Sequence, residues 1–80
     1  MKFRRLGPGP EAVTRSCSGS SGCPDLFELE DGDFAIIGQD ITTEAQPKLP
    51  ADAGCAPEER IIRIPRRLLV DARVDIPRSL

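Results

Sequence analysis

After Pro24 the chain has two short β-prone runs, the alternating Phe27-Glu28-Leu29-Glu30 and the mostly apolar Asp33-Phe34-Ala35-Ile36-Ile37, which flank the dipeptide Asp31-Gly32. An Asp-Gly pair between β-prone runs is a strong hairpin signal, because a type I′ turn needs positive φ at both central residues. We therefore predict a hairpin over residues 26–37, in which the residues on either side of Asp31-Gly32 pair with each other. This register gives the hairpin one apolar face, made of Phe27, Leu29, Phe34 and Ile36.

A later run, Ile61-Ile62-Arg63-Ile64, is typical of a buried strand and predicts one over residues 60–64. Pro65 cannot donate to a β-ladder, so it ends this strand and suits the first turn of a helix. Residues 66–73 then form an amphipathic helix with leucines inward and arginines outward. The segment 41–44 is either a short strand or the start of a helix.

These elements predict a small α+β domain. Its antiparallel sheet consists of the hairpin 26–37 and the strand 60–64, covered by one C-terminal helix. Residues 1–22 are rich in Gly, Pro, Ser and Arg without an apolar period, so we expect a flexible N-terminal tail and a single domain over 23–77. We read residues 46–58, with three prolines, as a loop. A chain of 80 residues buries a small core, which favours a protein partner or a homodimer.

Charge is segregated along the chain. Residues 1–24 carry +3, residues 25–59 carry −9 and residues 60–80 carry +4, which together give the net charge of −2. Such a layout favours pairing within the chain or association with a charged partner. No stretch reaches the roughly 18 apolar residues of a membrane span, and Gly7-Pro8 interrupts anything like a signal peptide. We therefore expect a cytoplasmic protein with no membrane contact.

The residue types needed for catalysis are sparse. The chain has no histidine, which removes the usual base for a cysteine or serine nucleophile, so we predict no enzyme, no catalytic residue and no cofactor. The three cysteines, Cys17, Cys23 and Cys55, are an odd number and are most simply reduced thiols. Their spacing does not match a zinc site, so we predict no metal ligand. A cysteine metal-binding or redox module stays as an alternative.

The leading hypothesis for function is a non-enzymatic protein-interaction module. We expect a protein partner or second copy to contact these charged residues: Arg60, Arg63, Arg66, Arg67, Arg73, Glu28 and Glu30. The alternative is a DNA-binding homodimer that uses the C-terminal arginines, and residues 64–69 look locally like the Ile-Pro-x-x-Leu step of swapped-hairpin DNA-binding proteins. Against DNA stand the adjacent acidic block and the lack of Tyr and Trp for base stacking.

Four segments carry a family resemblance: Cys23–Phe27, Gly32–Gly38, Ile41–Thr42 and Glu59–Pro65. Together they look like a group of small uncharacterised actinobacterial proteins, commonly associated with clusters that encode helix-turn-helix regulators and BldB-like accessory proteins. The resemblance spans roughly residues 17–76. It implies an accessory or modulating role beside a transcription regulator, and it carries over no catalytic residue.

Overall fold

The computed structural model describes residues 1–8 and 23–79, and the described residues form five strands, two α-helices and one 3₁₀ turn. In chain order these elements are β1 (Phe3–Arg5), β2 (Asp25–Leu29), β3 (Phe34–Ile37), β4 (Gln39–Asp40), α1 (Thr42–Ala45), the 3₁₀ turn Gln46–Lys48, β5 (Ile62–Arg63) and α2 (Arg66–Ala72). The predicted α+β class is confirmed, as are a hairpin within 26–37 and a helix after Pro65.

The main sheet is antiparallel, with the strand order β1-β2-β3. Its third strand is not the predicted strand 60–64 but β1, which pairs with β2 in the register Phe3↔Leu29 and Arg5↔Phe27. The prediction missed β1 because Phe3-Arg4-Arg5-Leu6 has no apolar alternation. Its two arginines instead form ion pairs with acidic side chains of β2.

The hairpin turn differs by one residue from the predicted register. Glu28 lies opposite Phe34 and Phe27 opposite Ala35. Gly32 N–H donates to the Leu29 carbonyl at 3.0 Å and Gly32 has a φ of +96°, whereas no described non-glycine residue has positive φ. This is a three-residue loop with a type I turn and a glycine bulge, which excludes the predicted type I′ turn because that turn needs positive φ at Asp31 as well.

This shift redistributes the side chains between the two faces of the sheet, since a one-residue slip moves every side chain of one strand to the other face. The predicted apolar face is therefore wrong. Phe34 and Ile36 share the face of Leu26, which packs against α2, and we call it the helix face. Phe27 and Leu29 belong to the opposite, open face.

β5 belongs to a separate two-stranded sheet, in which Gln39 lies opposite Arg63 and Asp40 opposite Ile62. Gly38 joins the two sheets at a close crossing. A Cβ at this position would lie 2.6 Å from the Arg63 carbonyl oxygen and 2.7 Å from Ile62 Cγ2, closer than real Cβ atoms approach. Only glycine therefore lets β4 follow β3 and pair with β5 in the observed arrangement.

The core is small and joins the two ends of the described chain. It consists of Leu6, Leu26, Leu68 and Ala72, with Ile64 and Ile76 packed against it. Leu6 is 1% exposed and is the largest fully buried side chain. The prediction that residues 1–22 form a tail is therefore wrong for residues 3–6; residues 9–22 lie outside the described residues.

Gly7 brings β1 close to the end of α2. Its φ is +76°, and a Cβ there would lie 3.3 Å from the Ala72 Cα. Its N–H donates to Asp75 Oδ2 at 2.8 Å. The positive φ and the close helix both favour glycine here, because each disfavours a side chain.

Candidate protein-docking surface

Helix α2 has two opposite faces. Leu68 and Ala72, four residues apart, are buried in the core. Residues at positions i, i+3, i+4 and i+7 from Arg66 lie on the far side of the helix. We call this set, continued by Val74 in the following turn, the outer stripe; it consists of Arg66, Leu69, Val70, Arg73 and Val74.

The outer stripe has two apolar residues, Leu69 and Val70, between Arg66 and Arg73, and a third, Val74, beyond Arg73. Leu69 is 47% exposed, Val70 44% and Val74 80%, so a substantial part of each apolar side chain faces solvent. The sequence pattern had predicted Leu69 on the inner face, but in the fold Ala72 takes that place beside Leu68. A contiguous exposed apolar patch rimmed by charge is typical of a protein-interaction site.

The arginines near this stripe differ in their partners. Within residues 1–8 and 23–79, Arg63 and Arg66 form no ion pair with a carboxylate, and Arg73 donates to the Val70 carbonyl at 2.6 Å. Arg60 lies 3.8 Å from Asp40, and Arg67 lies 3.0 Å from Asp71 in the next helical turn. Of the five predicted arginines, Arg63, Arg66 and Arg73 therefore keep their charge available for an external partner.

The two predicted acidic residues lie elsewhere. Glu28 forms an ion pair with Arg4 of β1, with Arg4 Nε 3.1 Å from Glu28 Oε1. Glu30 is exposed in the turn, 4.0 Å from the amino group of Met1. Neither residue lies across a sheet from Arg63, because β5 pairs with β4.

The open face of the main sheet carries a cluster that sequence patterns did not indicate. Asp25 is buried and accepts two hydrogen bonds from Arg5 Nε and one from Nη2 at 2.9 Å. This hydrogen bonding, with the added charge attraction, raises the pKa of Arg5. The Arg5 guanidinium also lies 5.4 Å from the centre of the Phe27 ring, which meets Phe3 edge to face at 5.3 Å. The cluster holds β1 onto β2.

A groove of about 570 Å³ opens between the start of β2, the end of β3 and the β4–β5 pair. Its walls are mostly apolar, with an arginine among them, and include Pro24, Ile37, Gln39, Arg63, Ile64 and Pro65. Pro65 lines the groove and immediately precedes Arg66, the first residue of the outer stripe.

The cysteines differ from the predicted set of reduced thiols. Cys23 is disulfide-bonded, so that prediction is wrong for this residue. Cys55 is a free, half-buried thiol that donates to the Glu59 carbonyl at 3.4 Å. Among the residues that the structure describes, no three His, Cys, Asp or Glu side chains are grouped to hold a metal ion. No described helix is long and apolar enough to cross a membrane.

Comparison with known proteins found no match for this chain. No family model matches the chain, and neither a curated protein nor a solved structure matches it. The resemblance to small actinobacterial proteins stays a prediction.

Proposed function

We propose that this protein is a non-enzymatic interaction module that docks on a protein partner through the outer stripe of α2. The observation that supports the proposal is the exposure of Leu69 and Val70 on a helix whose other face already fills the core, with Val74 exposed in the turn that follows. A helix that is apolar on both faces has one face left for another molecule.

The chemistry of the stripe indicates the kind of partner. Arg66 and Arg73 flank Leu69 and Val70, and Arg63 precedes the helix along the chain, so a complementary surface would carry acidic side chains around an apolar centre. Charge of this kind mainly accelerates encounter and fixes orientation, whereas the buried apolar contacts supply most of the affinity. The resemblance described above suggests that the partner is a transcription regulator, which this protein would modulate.

Affinity capture from native cells tests the proposal when the wild type is compared with two variants. The double variant Leu69→Ser/Val70→Ser removes the apolar centre, and we expect it to lose at least about tenfold in recovered partner. Ile36→Ser is the matched control, because it removes a comparably exposed apolar side chain from β3 rather than from α2. A partner retained equally by both variants, or a wild type that recovers none, would contradict the proposal.

The DNA-binding alternative is favoured by one observation, the carboxylate-free arginines Arg63 and Arg66. A titration against duplex DNA at several salt concentrations separates the two functions. Phosphate contacts release counterions, so the affinity of a DNA-binding protein falls steeply as salt rises. A salt-dependent complex with DNA that Arg63→Ala/Arg66→Ala weakens, while Leu69→Ser/Val70→Ser leaves it intact, would support this alternative instead.

A further inference from the structure

The outer edge of the main sheet is unusually open to pairing. Among the described residues β3 pairs with β2 alone, and Phe34, Ile36 and Ile37 are 48%, 40% and 51% exposed. Natural sheet edges are commonly blocked by a charged residue, a proline or a bulge. The strand Phe34–Ile37 contains neither a charged residue nor a proline.

The free hydrogen-bonding groups of this edge belong to two residues. Leu6 N–H donates to the Leu26 carbonyl, so Leu26 faces β1, and Leu29 N–H donates to Asp33, so Leu29 faces β3. Backbone groups alternate in direction along an antiparallel strand, so Phe27 also faces β3 and bonds with its opposite residue, Ala35. Phe34 and Ile36, which flank Ala35, therefore direct their N–H and C=O groups away from β2.

We propose that two copies of this protein associate through β3, which pairs antiparallel with the same strand of the second copy about a two-fold axis at Ala35. In this register Phe34 lies opposite Ile36 of the second copy, and the free N–H and C=O groups of these residues bond with each other. Ala35 meets its own copy at the closest approach of the strands, where a small side chain fits. The two three-stranded sheets become one.

Side chains and charge favour a second copy as the occupant of this edge. On the helix face, Phe34 and Ile36 of both copies form one apolar cluster. Asp33 falls opposite Ile37 of the second copy, so no like charges oppose each other. The two Asp33 residues are offset by four strand positions, about 13 Å, which exceeds the Debye length of about 8–10 Å at physiological salt. The strand is therefore complementary to itself.

Sedimentation equilibrium up to about 1 mM protein, with hydrogen exchange of assigned amides, tests this interface. We expect the wild type to form a dimer in which the amides of Phe34 and Ile36 exchange slowly, and to lose that protection on dilution. Ile36→Lys should weaken self-association at least about tenfold, because each copy would place an unpaired ammonium in the apolar cluster. Ala51→Lys adds the same charge at an exposed turn residue outside both β3 and the outer stripe and should leave the dimer intact.

A second variant covers the case in which Ile36→Lys does not fold. Ile36→Pro removes a single N–H that faces away from β2, so the β2–β3 ladder is kept while the intermolecular ladder is broken. A wild type that stays monomeric, or a dimer in which the Phe34 and Ile36 amides exchange freely, overturns the interface. A monomer that still captures a protein partner through α2 overturns this interface alone and leaves the proposed function standing. A dimer that captures no partner overturns the proposed function and leaves this interface standing.

Discussion

Asp40 and Thr42 connect two segments that are far apart in sequence. The Thr42 hydroxyl donates to Asp40 Oδ1 at 2.7 Å and accepts the Ile61 N–H at 2.8 Å, across 19 residues. Thr42 N–H also donates to Asp40 Oδ1, and Arg60 lies near the other carboxylate oxygen. The two hydrogen bonds from Thr42, and then Arg60, hold the pKa of Asp40 below its ordinary value. One ionised carboxylate thus orders the start of α1 and its contact with the segment before β5.

This arrangement predicts how stability changes with pH. A carboxyl group whose pKa is lowered by folding stabilises the fold above its unfolded pKa, about 3.9, and this contribution is lost as the pH falls through the lowered folded value. Asp40→Asn should therefore be less stable than the wild type at pH 7, and the difference should shrink at about pH 3. Urea unfolding at the two pH values measures it.

Asp52→Asn is the control for this prediction. It removes the same charge from an exposed turn residue that forms no ion pair with any described residue. A pH-dependent difference of equal size in both variants would show that net charge, rather than the Thr42 contacts, is responsible.

At the turn, the sequence identified the right residues and the wrong geometry. Asp31 and Gly32 are both used: the Asp31 carboxylate accepts the Asp33 N–H at 2.9 Å, and Gly32 adopts positive φ. The same dipeptide serves a type I′ turn or a type I turn with a glycine bulge, and the two differ by one residue in register. The choice between the two turns depends on how the faces of the sheet pack. In the observed register, Phe34 and Ile36 lie on the same face as Leu26, which packs against α2.

At the scale of elements, the unexpected one is β1. It has three residues and lacks apolar alternation, yet it leads directly into Leu6 in the core. β1 is held in place by two ion pairs with β2, across 20 and 24 residues. The hydrogen bond from Gly7 to Asp75, just after α2, also holds this segment. A local pattern cannot predict such an element, since every partner is distant in sequence. The hairpin and α2 were predictable because their signals, an Asp-Gly dipeptide and a proline before an amphipathic run, are local.

Leu6→Ala tests whether β1 is part of the fold. Removal of a fully buried leucine typically costs about 2–5 kcal/mol, a large fraction of the stability of so small a domain. We expect a loss in this range by urea unfolding, with reduced amide protection in β2. Leu49→Ala is the control, because Leu49 is half-buried and outside the core cluster. Equal losses in the two variants would show that Leu6 has no special place in the core.

At the scale of the whole molecule, the segregated charge is partly neutralised within the fold. The basic N-terminal residues Arg4 and Arg5 pair with the acidic β2, and Arg60 pairs with Asp40. Of the predicted docking residues, this leaves Arg63, Arg66 and Arg73 beside an exposed apolar stripe. The sequence indicated the arginines as a set. Arg67 pairs with Asp71 one helical turn away, whereas the pair of Arg60 with Asp40 depends on the β4–β5 pairing, which the sequence did not determine.

The state of the cysteines is a second property of the whole molecule, because disulfides persist mainly in oxidising compartments. Alkylation of the native protein without reductant, followed by peptide mass mapping, should modify Cys55 and leave Cys23 unmodified. The same result in denaturant would show that the disulfide bond, rather than burial, protects Cys23 from alkylation. Modification of Cys23 without reductant would show that Cys23 is a reduced thiol, and would favour a cytoplasmic location for the protein.

The closure of the core by residues from both ends of the described chain has a consequence during synthesis. Gly7 and Asp75, which share a hydrogen bond, are 68 residues apart. At about 5–20 residues per second, the ribosome needs roughly 3–14 s to make the intervening chain. Until α2 is made, Leu6 and then the newly synthesised Leu26 have no helix to cover them. The nascent chain is therefore most prone to aggregation before it is finished, and a chaperone that binds short apolar strands would act in that interval.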